Sequence, residues 1–193
     1  MLKKHKLLKL CETRWLSREA VINRILEQWD ALALFFQWQA AVDKVDGAGQ
    51  ILGLQTMNQA GTKHMLLFVA YILGKVNCMN IEFQAENFGL HKVYSTLTSE
   101  YRHLLSLFIK DEVLTFKSLA DIDPANSQLH KQLNSINLGG RCEAQLLRQP
   151  LSDKELQFRK DALSFLIELC VQIRSRFPLS QDCVLAQMQP LEP

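Results

Sequence analysis

Apolar residues recur at three- and four-residue steps through most of the chain, which is the period of a helix with one buried face. From Ser17, whose hydroxyl suits a helix N-cap, Ile22, Ile25, Leu26, Trp29, Leu32, Ala33 and Phe36 share one face. Asn23, Arg24, Glu27 and Asp30 occupy the other. Beyond Ala31 the pattern turns apolar nearly all round, with Leu34, Phe35 and Trp38. That predicts burial on several sides and places Trp29 and Trp38 in the core. Gly47 and Gly49 punctuate the end of this long helix.

A second helix is predicted from about Thr62 to Asn77, its centre Met65–Leu73 lacking a polar face. A strand would also fit so short a run, but the helix-compatible flanks favour one long element. The third helix carries a seam, Leu90, Tyr94, Leu97, Tyr101, Leu104 and Phe108, at alternating steps of four and three. It reads as one face of an intramolecular bundle, with self-association through helix 90–108 as the alternative. Residues 111–150 are irregular, with an Asp123-Pro124 turn or helix start and a Gly139-Gly140 pair, and a stretch this long predicts short helices. Ser152-Asp153-Lys154-Glu155 has the spacing of a capping box. The helix after it should bury Leu156, Leu163, Leu166, Cys170, Ile173 and Phe177 and stop at Pro178, with one more short helix from Ser180 to Gln187. The fold class expected is all-α, a helical bundle.

Composition narrows the function classes. At 193 residues, 48% hydrophobic and 22% charged, the chain has enough apolar material for a sizeable core. Its net charge of +2 supplies no domain-wide basic field, so any contact with nucleic acid must come from local clusters. The five cysteines (Cys11, Cys78, Cys142, Cys170, Cys183) are dispersed and form no C-x-x-C pair, which points to a reducing, intracellular setting. The longest continuous apolar run is too short to span a bilayer, and no signal peptide or membrane partner is expected. No phosphate loop, dinucleotide fingerprint, zinc-protease helix or nucleophile elbow is present. The five histidines lack partners at metal-ligand spacing, and Asp43, Asp46, Asp111 and Glu112 read as solvated helix ends, so no metal or cofactor is expected.

One stretch stands apart. Lys3, Lys4, Lys6 and Lys9 lie among leucines and lead through Cys11-Glu12-Thr13 to Arg14-Trp15 at the entrance of the first helix. Lysines neutralise phosphates and an indole face stacks on an unpaired base, which suits nucleic acid. The same residues also read as solubilising charge, a cap and a core anchor.

Lys9-Leu-Cys-Glu-Thr-Arg14-Trp15-Leu-Ser17-Arg18, followed by a long helix, resembles the Arg-Trp region of hAT-superfamily transposases. The likeness is greatest to the vertebrate transposon-derived group related to BED-type zinc-finger and general-transcription-factor-repeat proteins. Asn80-Ile-Glu-Phe-Gln-Ala-Glu-Asn87, running into the seam helix, resembles a segment in the same order in that group. The resemblance implies residues 1–16 as a short extended edge of an RNase H-like core and 17–193 as a helical insertion domain, irregular at about 111–150. It implies a DNA-binding ancestry, with Trp15 stacking on a displaced base, Arg14 beside it, Lys6 and Lys9 adding charge, and a nuclear location. The family's two catalytic aspartates lie upstream of the motif and its glutamate downstream of the insertion. The expectation is therefore a non-catalytic fragment of a domesticated transposase. A helical protein-interaction module acting as a nuclear adaptor is the alternative, and a remnant without selected function a third reading.

Overall fold

The computed structural model describes residues 15–42, 53, 55–57, 59, 61–84, 90–177, 179, 180 and 187. Helix accounts for 80% of them and none lies in a strand, so the fold is all-α. The α-helices are α1 (Trp15–Glu27), α2 (Trp29–Val42), α3 (Thr62–Gln84), α4 (Leu90–Ser106), α5 (Asp111–Phe116), α6 (Gly140–Arg148) and α7 (Glu155–Arg176). They belong to two compact units, Met1–Gly74 with Gly139–Lys154 and Lys75–Leu138 with Glu155–Pro193.

In the first unit, the long helix expected from Ser17 opens two residues earlier, at Trp15, so Ser17 lies inside it and is not its cap. A turn at Gln28 divides α1 from α2, although hydrogen bonds from Gln28 N to Arg24 O (3.1 Å) and from Leu32 N to Gln28 O (2.8 Å) carry the helical ladder across. The expected all-round burial of α2 does not occur. Leu34, Phe35 and Trp38 are 66%, 48% and 60% exposed, and Trp29 is half-buried. An apolar composition creates a demand for cover, but only neighbouring elements can supply it. The first unit's buried side chains come instead from the start of α3 (Leu67, Phe68, Ala70, Ile72, Leu73), from Leu26, from Cys142 and Leu146 on α6, and from Leu151.

Among the described residues, Thr62–Ile81 within α3 is by length and composition apolar enough to cross a membrane. This stretch is longer than the unbroken run Met65–Leu73, because His64, Lys75 and Asn77 are too few to offset its leucines and isoleucines. Phe68 and Ile72, in its middle, are fully enclosed by protein, as in the core helix of a globular unit.

The second unit is organised by the seam. Tyr94, Leu97, Tyr101 and Leu104 on α4, with Phe108 just beyond its end, are all buried, and α4 packs on α7. From α7, Phe158, Arg159, Ala162, Leu166, Cys170 and Ile173 form the facing stripe. Leu156, expected on that stripe, is 53% exposed, because Phe158 and Arg159 set a register that turns it outward. The capping box expected before α7 does not form. Ser152 has φ 50°, outside the extended region an N-cap occupies, and Glu155 Oε1 accepts from Arg159 Nε at 3.0 Å.

The middle of the second unit is a string of short helical pieces, α5 and the 3-10 turns Leu119–Asp121, Ser127–Leu129 and Leu133–Ser135. Asp123 opens a tight turn in which its Oδ1 accepts from Ala125 N at 3.1 Å. The string returns along the end of α4 through Lys110 N to Leu129 O (2.9 Å), Lys131 N to Phe108 O (2.7 Å) and Asn137 N to Leu107 O (2.9 Å). Basic side chains stitch it down. Arg102 donates to Leu114 O (2.8 Å), Lys110 to Gln128 O (2.7 Å), Lys131 to Ser106 O (2.9 Å) and Arg174 to Ala120 O (2.9 Å). Lys131 and Arg174 also pair with Asp111 and Asp123. A segment with little regular structure has carbonyls that no helical ladder satisfies, and cationic donors meet that need.

Tyr101 is fully buried, and its hydroxyl has no hydrogen-bond partner among the described residues. Burial pushes its pKa well above the ordinary phenol value, the neighbouring Cys170 thiol adding to the rise and Arg174 opposing it. Burial likewise pushes the Cys170 thiol up to about 12. An unpartnered buried hydroxyl opposes folding by about 1–3 kcal/mol. Tyr101→Phe should therefore leave stability unchanged or raise it by about 1 kcal/mol, read from urea unfolding followed by circular dichroism. A loss exceeding about 1 kcal/mol would show that the hydroxyl has a partner after all.

Candidate nucleic-acid interface

Of the residues that the sequence singles out for nucleic acid, Lys6, Lys9 and Arg14 lie outside the described residues. Trp15 is the first residue of α1, where its backbone begins a 13-residue helix with no acidic residue in the first turn. The opening turn of a helix has N–H groups without intrahelical partners and the positive end of the dipole, an environment that favours anions. Asn80 to Gln84 of the second family-like segment form the end of α3, and residues 85–87 lie outside the described set. Also outside it are Gly47, Gly49 and residues 181–186 of the short helix expected after Ser180.

Exposed cations occur in both units, with Lys117, Lys160 and Arg176 in the second. In the second unit, Arg102, Lys110, Lys131, Arg159 and Arg174 all donate to backbone carbonyls of their own unit. In the first unit, Arg24 pairs with Glu27 at 3.2 Å, whereas Arg141 and Arg148 on α6 stand exposed.

The first unit also contains a cleft of about 280 Å³ at the start of α3. Trp29 forms one wall, and the Lys63 ammonium lies 5.6 Å from the centre of its indole ring. Gln149, Pro150 and Leu151 close the far side. Gly61 has φ 99°, which an L side chain adopts only with strain, and its carbonyl accepts from Met65 N at 2.8 Å. That bend delivers Lys63 to the rim. His64, the next residue, is buried, and its Nε2 lies 3.0 Å from the Gln149 carbonyl. A carbonyl only accepts, so the ring proton sits on Nε2. The Cys142 thiol donates to the His64 carbonyl at 3.4 Å. These two bonds tie the start of α3 to α6 and its C-terminal continuation.

Sequence reading placed Trp29 in the core and gave Lys63 no role. Residues 29, 63 and 149 have no local pattern in common, and only the Gly61 turn carries a signal, as a glycine directly before a helix. No group of three or more His, Cys, Asp or Glu among the described residues could hold a metal ion. No protein-family model, curated protein or solved structure matches the chain. The fold therefore defines the class alone, an all-α protein of two compact units.

Proposed function

We propose that this chain is the DNA-binding helical portion of a domesticated hAT-type transposase, without strand-cleavage activity of its own and working in the nucleus. One observation carries the reading: the Lys9–Arg18 sequence, with its Arg14-Trp15 pair, runs straight into a helix whose first residue is Trp15. The opening turn of a helix has N–H groups without intrahelical partners, so a tryptophan in that sequence position joins a stacking side-chain type to an anion-favouring helix end. The near-neutral net charge agrees with a local DNA contact rather than a broad one. Arg14 and Lys6 and Lys9 serve as phosphate partners in this reading.

A band-shift titration with hairpin DNA carrying an unpaired base tests it. Trp15→Ala should weaken binding by about 1–3 kcal/mol per stacked base, roughly 5–150-fold. Equal and negligible binding by both proteins would remove the DNA reading, and cleavage of the hairpin with Mg²⁺ or Mn²⁺ would overturn the non-catalytic part.

The second reading, a protein-interaction module, is favoured by the exposed Leu34, Phe35 and Trp38 of α2. The seam of α4 does not serve it as well, since its apolar residues are buried within their own unit. Size-exclusion chromatography with light scattering separates the readings, because a monomer that binds hairpin DNA fits only the first.

A further inference from the structure

We propose that the cleft at Trp29 and Lys63 is a binding site for a single nucleotide, taking the base against the indole and the phosphate at the lysine. Four observations lead there. Among the described residues that line the cleft none is acidic, and Lys63 brings an ammonium to its rim. No carboxylate lies within ion-pair distance of Lys63 among the described residues, and its ammonium lies over the Trp29 indole face. An ammonium held over a ring and unmatched by a counter-ion is placed to receive an anion. The Trp29 ring supplies a flat apolar wall, half-buried and therefore open on one side. The volume, about 280 Å³, lies just below the roughly 300–1,000 Å³ of small-molecule pockets, so it fits one ring with its phosphate rather than a dinucleotide.

The walls are set before a ligand arrives. The Gln149 carbonyl is taken by His64 and the His64 carbonyl by Cys142, which fixes the far side and the floor and leaves Lys63 and Trp29 to adjust. Binding would replace the ammonium–indole contact with base on indole and phosphate on ammonium. The cleft by itself calls for a flat ring bearing an anion, and the choice of a nucleotide rests on the DNA-binding reading above. The source is either a free nucleoside monophosphate or an unpaired residue in a strand.

The experiment is tryptophan fluorescence of the full chain carrying Trp15→Phe and Trp38→Phe, which leaves Trp29 as the only indole. Adenosine 5′-monophosphate and a short single-stranded oligoadenylate DNA are titrated in parallel, with adenosine and ribose 5-phosphate as half-ligands. Saturable quenching is expected from the first two, with much weaker binding of either half. Tighter binding of the strand assigns the site to nucleic acid, and tighter binding of the monophosphate assigns it to the free nucleotide. Lys63→Met keeps the stem and loses the charge, and it should weaken binding at least about tenfold, with circular dichroism confirming the fold. No saturable quenching, equal binding of ribose 5-phosphate, or an unchanged affinity in Lys63→Met would each overturn the site. The two readings fail separately. A hairpin band shift that depends on Trp15 but not on Lys63 keeps the first and removes this one, whereas Lys63-dependent quenching without any hairpin shift does the reverse.

Discussion

Gly139→Ala should destabilise the first unit by about 3–5 kcal/mol, the largest effect expected of any single methyl group in the described residues. Gly139 has φ 87° and ψ 142°, a combination that residues with a Cβ avoid. A Cβ built there would meet Tyr71 Cγ at 2.6 Å, Cδ1 at 2.7 Å and Cβ at 3.1 Å. The conflict includes the root of the tyrosine side chain as well as its ring, so a rotamer change alone does not relieve it. Backbone strain of about 1–3 kcal/mol and overpacking of about 1–3 kcal/mol act together. The Gly139 carbonyl also accepts from Cys142 N and Glu143 N, both at 3.0 Å, so any shift of this residue loosens the first turn of α6. Gly140 is the internal control, since a Cβ there meets nothing within 4 Å. Gly140→Ala should be neutral or stabilising by up to about 1 kcal/mol, through helix propensity at the start of α6. Urea unfolding of the two variants side by side decides the matter. Gly139→Ala within about 1 kcal/mol of the unsubstituted protein would show that the backbone there relaxes freely.

Phe108→Ala should cost the second unit about 3–5 kcal/mol. The ring is fully buried and meets the His130 imidazole edge-on, with 5.4 Å between centres and an interplanar angle of 70°. His130 is held in turn by the Pro124 carbonyl, 2.8 Å from its Nε2. The Phe108 carbonyl accepts from Lys131 N. One residue thus closes the seam of α4 and anchors the returning string at its side chain and its backbone. Truncation removes the contacts of the whole six-carbon ring, about six heavy atoms, and three short 3-10 turns have little ladder of their own with which to hold a collapsed arrangement. Phe108→Leu keeps most of the volume and should cost roughly 1–1.5 kcal/mol. Thermal and urea unfolding by circular dichroism check both, and a Phe108→Ala loss below about 1.5 kcal/mol would mean that the core closes over the gap.

The two substitutions differ in how much the sequence tells about them. Phe108 sits on a seam that is legible as spacing alone, and every seam residue whose side chain the structure describes is buried. Gly139 was legible only as one of a glycine pair, because its constraint is set by Tyr71, sixty-eight residues earlier in the chain and on another element. The short helices of the middle segment followed from its length and its turn residues. What stitches them did not, since a lysine or arginine in a sequence looks the same whether it reaches a carbonyl or the solvent. The capping box failed for a similar reason. Ser152 and Glu155 have the right spacing, but Arg159, one turn on, takes the Glu155 carboxylate, and Ser152 has a backbone that no cap adopts.

The candidate site divides along the same line. Trp15 stood out because it precedes the periodic pattern, and the start of α1 at that residue is a local property of the chain. Trp29 did not, because its position on an apolar face reads as core. Whether such a face is covered depends on what packs against it, and at α2 little does.

By itself, then, the sequence determined the all-α class, the seam of α4 and the stop of α7 near Pro178, since each follows from steps of three and four residues or from a missing backbone N–H. Only the tertiary structure decided which apolar faces are covered, which cations are consumed by carbonyls, and that Trp29, Lys63 and Gln149 share a cleft. Periodicity is a property of neighbours along one helix, whereas cover, pairing and enclosure belong to atoms brought together across dozens of residues.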